Sequence, residues 1–198
     1  MPANAPYYVS FTADPAPSRV DHSNRNPGPS DGKQRAGYTS FVLDAKITVK
    51  WEDGPIGTDS LTPFFFESVN IFFLLKDFTV QISSDYRVGS CPYRATLEHE
   101  LESHVRRPTR MFPSFRDAAV RRLNLIPLST QRSPRRIGRG QGDVTEAALM
   151  RPVVLAVNEL KSQFRRSLDD DRRLQDSPAA YQAIYVRCPA HEWGARGL

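Results

Sequence analysis

From Tyr38 to Trp51 apolar residues recur at every second position: Phe41, Leu43, Ala45, Ile47, Val49 and Trp51 alternate with polar neighbours. A period of two places them on one face of a half-buried β-strand. Glu52-Asp53-Gly54-Pro55 then supplies the residue types of a turn. Ser68–Lys76 and Phe78–Ser83 are rich in Val, Ile, Phe and Leu and predict one or two core strands, with Lys76-Asp77 as the candidate break. Phe64-Phe65-Phe66 and Phe72-Phe73 fit core and strand-edge positions, the first being a docking patch if it is exposed. Beyond residue 90 the period lengthens. Pro92 suits a first helical turn, and no breaker follows before Pro108. Ala95, Leu97, Leu101 and Val105 give that helix, over 92–107, one narrow apolar stripe. A second helix is predicted over 112–125 and a long third over 143–175, with Asp143 as N-cap and a kink at Pro152. Between these two, residues 126–142 form a basic loop rich in Pro and Gly. Ala180–Val186 reads as a last short strand or helix. Strands followed by helices predict an α+β fold, a small antiparallel sheet from residues 38–86 packed by three main helices.

Composition divides the chain. Residues 1–36 are dominated by Pro, Asn, Ser, Asp and Gly, which predicts a disordered or extended arm, in which Tyr7 to Phe11 has the residues of a short strand. Residues 37–198 are expected to form a single domain. The hydrophobic content of 39% lies below the globular average of about 45–50%, and the deficit sits in the arm. No apolar run reaches the roughly 20 residues a membrane span needs. The first residues carry neither a basic region nor a continuous apolar stretch, so no signal peptide is expected. A net charge of +5 permits an acidic partner without demanding one. Arg132, Arg135, Arg136 and Arg139 stand in a loop without interleaved aromatics, which favours a solvated loop over nucleic-acid binding. The two cysteines, Cys91 and Cys188, each precede a proline. They read equally as a disulfide, which would imply an oxidising destination and possible export, or as two thiols.

The candidate chemistry is concentrated in Glu98-His99-Glu100-Leu101-Glu102-Ser103-His104, which holds two of the chain's four histidines. The run is one residue longer than His-Glu-x-x-His, the pattern that sets two zinc ligands and a catalytic Glu on one helical turn. At i and i+5 two side chains stand about 140° apart on a regular α-helix, too far to share an ion. Two arrangements repair this. A π-bulge would return His99 and His104 to one face, or Glu100 and His104, at i and i+4, would be the ligand pair with His99 behind them. A plain solvated face, with Glu paired to Arg94 and Arg106-Arg107, is the structural alternative.

The run Cys91-Pro92-Tyr93-Arg94-Ala95-Thr96-Leu97-Glu98-His99-Glu100, closing in His104-Val105 after a sheet, resembles the zincin metallopeptidases, and among them small secreted zinc proteases of bacteria. The likeness spans about residues 38–125, and its specific part is the short motif. It implies Zn2+ held by His99 and His104, with Glu100 as the base that activates the attacking water. Ser103 stands where that family has its second His. A Glu or Asp third ligand would come from a later helix, with Glu146 the first candidate and Asp143 and Glu159 behind it; His191, in the tail after Cys188, is the other candidate. Position 110, where an extended form of the motif carries His, is Arg110.

Two functions follow as expectations. The first is a zinc-dependent hydrolase, a peptidase with a polypeptide substrate. The second is a non-catalytic interaction or structural protein, a component or cargo of a secretion- or phage-like assembly, whose arm wraps a neighbour. Oligomeric state is not legible in the sequence.

Overall fold

The computed structural model describes residues 7–13, 17, 19–28, 35–55 and 60–193. Part of the amino-terminal arm, including its first six residues, lies outside them. The described chain forms β1 (Tyr7–Ala13), β2 (Arg19–Asp21), β3 (Gly37–Asp53), β4 (Leu61–Ile82), α1 (Cys91–His99), a π-helical segment (Glu100–Arg106), α2 (Arg107–Leu123), β5 (Arg135–Gly138), α3 (Gly142–Gln175), α4 (Pro178–Tyr185) and a 3-10 turn (Ala190–Glu192). No helix among the described residues is long and apolar enough to cross a membrane.

β4 is the spine of a five-stranded sheet and pairs with β1, β2, β3 and β5. The expectation of an all-antiparallel sheet is corrected here. β2 runs parallel to β4, with Arg19 opposite Thr79 and Asp21 opposite Gln81. β5 runs antiparallel to it, with Leu61 opposite Gly138 and Phe64 opposite Arg135. Both additions come from segments whose composition hides strands, the polar arm and the basic loop. Main-chain pairing to an edge asks little of the side chains, so neither alternates.

The two predicted core strands are one 22-residue strand that begins at Leu61. Its buried set moves from Phe64 and Phe66 to Val69, Ile71, Phe73 and Leu75, and then to Phe78, Val80 and Ile82. Each move is a one-residue slip in the alternation, as a bulge produces. The second falls at Lys76-Asp77, where Asp77 takes φ 56°. A short polar side chain tolerates that left-handed conformation, so the chain turns its face without ending the strand.

The helices expected over 92–107 and 112–125 are continuous through α1, the π-helical segment and α2. Pro108 does not stop them. The Arg107 N–H reaches back five residues to Glu102 O, and a residue without an N–H is tolerated where the ladder changes register. α3 matches its expected span to one residue, with Pro152 inside it. The last element is helical, α4, capped by the Ser177 hydroxyl, which accepts from the Ala180 N–H.

By internal contacts the described chain divides into two compact units, the first of residues 1–12, 44–74 and 113–164 and the second of residues 13–43, 75–112 and 165–198. In the first, Phe73 meets Phe115 edge-on at 5.2 Å. Phe115 stacks on Phe164 at 4.4 Å, and Phe11 meets Phe164 at 6.4 Å. In the second, Phe41 lies against Phe78 at 5.4 Å, and Trp193 is buried against Tyr86 and Tyr185 at 5.6 and 4.8 Å. Cys91 and Cys188 are joined, with Cα atoms 5.7 Å apart. The bond ties the first residue of α1 to the segment after α4, and Arg187 adds an ion pair to Glu98 at 3.1 Å.

Two stability changes are expected in urea unfolding. Replacing Cys91 and Cys188 together by Ser lowers stability by up to about 4–5 kcal/mol, because the bond closes a long loop. Phe73→Ala, at a fully buried site, costs about 3–5 kcal/mol. Unchanged midpoints in either variant contradict the packing described.

Candidate metal centre

The charged run splits into two faces once folded. Glu98 and Glu102 face solvent, Glu98 paired with Arg187 and Glu102 with Arg106 and Arg110. His99, Glu100 and His104 turn inward, with Glu100 and His104 1% and 4% exposed. A solvated helical face would not bury these three. The cause is the π-helical segment, Glu100–Arg106. Its wider turn brings residues five apart onto one side, so the rings of His99 and His104 meet edge-to-face with centroids 5.2 Å apart. His99, Glu100 and His104 each offer a ligand atom, all within 4.8 Å of one another. This His-Glu-x-x-x-His cluster fits a zincin-like motif and has the donors to hold a metal ion.

A fourth residue, outside the His99–Glu100–His104 group, touches both rings. Asp176, one position past the end of α3, accepts from Nε2 of both histidines on the same oxygen, at 2.9 Å from His104 and 3.3 Å from His99. Two imidazoles and the Asp176 carboxylate thus meet in one hydrogen-bonded cluster beside Glu100. The position is unfavourable in isolation, since a carboxylate at a helix C-terminus opposes the macrodipole. Burial also acts to raise its pKa, yet the hydrogen bonds and charges of His104 and His99 more than reverse this and hold Asp176 well below the usual carboxylate range. Nothing in the local sequence sets Asp176 apart from the other acidic residues at the end of α3, so it was not among the candidates.

Glu100 is held from the sheet side. Thr39 on β3 donates through Oγ1 to its Oε2 at 2.7 Å. Gly37 leaves room for the carboxylate, because a Cβ there would stand 2.6 Å from Glu100 Oε1 and 2.8 Å from Thr96 Cγ2. Burial pushes the Glu100 pKa up, opposed by His104, Thr39 and His99. The extra residue of the motif, Ser103, places its hydroxyl 3.4 Å from His99 Nδ1. A hydroxyl donates or accepts, so it suits either tautomer of that ring and orients it, the usual task of the shell behind a metal-binding histidine. Tyr181 on α4 packs its ring against His99 at 5.5 Å, and burial raises its phenol pKa.

Gly37, Thr39, Glu100, His104, Asp176 and Tyr181 line a cavity of about 800 Å³, to which Tyr38, Arg172 and Tyr185 also contribute; His99 is not among its lining residues. Every lining residue belongs to the second unit. Glu146 lies in the first unit, where its carboxylate accepts the Trp51 indole N–H. Glu159 pairs with Arg122 at 3.4 Å, and Asp143 and His191 are exposed. None of these four, and not Asp176 either, is in the His99–Glu100–His104 group; of the five only Asp176 touches the two histidines.

Gly37→Ala is expected to displace the Glu100 carboxylate and cost about 1–3 kcal/mol by overpacking, read as a lower unfolding midpoint. Asp176→Asn tests the ion network in chelator-treated protein. A carboxyl held below its ordinary 3.8 stabilises the fold fully above that pH and progressively less as pH falls toward the folded value. The deficit of Asp176→Asn should therefore be present at pH 7 and shrink below about pH 4. A pH-independent deficit shows that Asp176 acts through packing alone.

No protein-family model, curated protein or solved structure matches this chain.

Proposed function

We propose that the protein is a zinc-dependent hydrolase, a peptidase. The observation that supports this reading best is the convergence of His99 and His104 Nε2 on one Asp176 oxygen, beside a buried Glu100 and an 800 Å³ cavity. The donor set fits the metal: two neutral nitrogens and one carboxylate oxygen suit Zn2+ and leave a position open. Zinc bound there supplies Lewis acidity, polarising a substrate carbonyl and acidifying a water.

The remaining work falls to the chain's own side chains. His99, His104 and Asp176 are the ligands, with His99 steadied by Ser103. Asp176 therefore takes the place first given to Glu146. Glu100 is the base rather than a ligand, because both imidazoles point at Asp176 and Glu100 is engaged separately by Thr39. Its carboxylate takes a proton from the attacking water and returns it to the leaving amine, a role that requires the fixed orientation Thr39 provides. Tyr38, Tyr181 and Tyr185 give the cavity aromatic walls that bury a peptide and exclude bulk water.

Protein purified without added metal should carry about one zinc per chain, measured by plasma mass spectrometry, and His104→Ala or Asp176→Ala should lose it. Glu100→Gln should keep the zinc and cleave casein about 100-fold more slowly or worse. Absence of zinc from the wild type, with none taken up on titration, overturns the reading. So does a Glu100→Gln variant of undiminished activity.

A further inference from the structure

Three arginines, Arg35, Arg172 and Arg173, share the cavity with two carboxylates, Glu100 and Asp176. A divalent ion at the centre would leave the cavity with a surplus of positive charge. Such a cavity favours a substrate that carries an anion. Arg172 is the member built into the site. α3 places it one turn before Asp176, whose N–H donates to Arg172 O at 2.8 Å. Its guanidinium donates to the carbonyl of Thr39, the same residue whose hydroxyl holds Glu100. The plane lies over the rings of Tyr38 and Phe41, with centroids at 5.2 and 6.0 Å. The half-buried fork is thus fixed in place, and one hydrogen bond leaves donors of its five N–H groups for a ligand. Arg173, by contrast, is exposed and paired with Asp170 at 3.4 Å.

We infer that Arg172 binds a carboxylate of the substrate, one or two residues from the scissile bond; this rests on the hydrolase reading above. A planar, fixed guanidinium matches a carboxylate in two parallel hydrogen bonds. In an unmodified polypeptide carboxylates are the anionic groups, either on an acidic side chain or at the free C-terminus. The placement follows from Thr39, whose carbonyl accepts from the Arg172 guanidinium and whose hydroxyl donates to Glu100, so the guanidinium and the base stand on either side of one residue. An extended peptide advances about 3.3–3.6 Å per residue, which brings a carboxylate one or two residues beyond the reacting carbonyl into reach. The site is therefore selective for acidic or C-terminal positions next to the cleaved bond.

Three probes on one scaffold separate these possibilities: N-hydroxysuccinamoyl-glutamine amide, which is neutral; its glutamic acid amide counterpart, with a side-chain carboxylate; and the glutamine probe with a free terminal carboxylate. Each is titrated calorimetrically into full-length, zinc-loaded wild type, Arg172→Gln and Arg172→Lys, with zinc content and circular dichroism confirming that the variants are folded and loaded. At least one acidic probe should bind wild type about tenfold tighter than the neutral one, and which one identifies the carboxylate's source. Arg172→Gln should abolish that preference, and Arg172→Lys, which keeps the charge but not the fork, should restore part of it. Equal affinity of all three probes for wild type overturns the carboxylate site and leaves the metal centre standing. A preference that survives in Arg172→Gln overturns the assignment to Arg172. Failure of every probe to bind zinc-loaded protein overturns both readings.

Discussion

One wide helical turn carries the candidate site. Between Glu100 and Arg106 the backbone follows π rather than α geometry, and only that turn lets His99 and His104 face the same carboxylate. On a regular helix one ring would point to solvent and Asp176 would meet a single imidazole. Such turns are rare because their backbone hydrogen bonds are poorer, and they persist where the surroundings hold them. Here the holding groups are identifiable. Asp176 takes both rings, Thr39 takes Glu100, and buried Val105 anchors the segment on its inner side.

The second unit supplies that support from three separated stretches of chain. β3 contributes Gly37 and Thr39, the helix after β4 contributes the three motif residues, and the end of α3 with α4 contributes Arg172, Asp176 and Tyr181. The Cys91–Cys188 bond closes this arrangement by joining the start of α1 to the chain just after α4. Its value to the site is entropic and geometric at once. The bond restricts the unfolded chain and keeps the element bearing Tyr181 beside the helix bearing His99.

Polar groups in the centre are mutually satisfied rather than merely close. Asp176 would be an awkward residue at a helix end and Glu100 a costly one in the interior. Each is tolerated because its partners compensate, and neither has an obvious structural purpose that an apolar residue would serve worse. Buried titratable groups arranged in this way, opening on a cavity, are the usual signature of a functional site. Arg172 belongs to the same network through Thr39, whose carbonyl takes the guanidinium and whose hydroxyl orients Glu100.

Much of the scaffold was legible in the sequence because it obeys local periodicity. Alternation from Phe41 to Trp51 located β3, and three- and four-residue steps from Leu149 to Leu168 located α3. The His/Glu run declared itself by its density, and the fifth-residue spacing already required a π turn if the two histidines were to meet. Other features were invisible locally. β2 and β5 are held by main-chain pairing to β4, so their side chains carry no pattern. Lys76-Asp77 was legible as a break, but not that the chain there turns its face and continues as one strand. Whether Cys91 and Cys188 were partners depended on two segments 97 residues apart in sequence. Most of all, the carboxylate that meets the two imidazoles is set by where α3 ends in space. Asp176 and Glu146 are alike as sequence, acidic residues near the ends of one helix. The sequence by itself determined which chemistry was available and on which helix. Tertiary structure alone decided that Asp176 receives both imidazoles while Glu146 receives the Trp51 indole, because a carboxylate's role is fixed by the donors that packing brings to it.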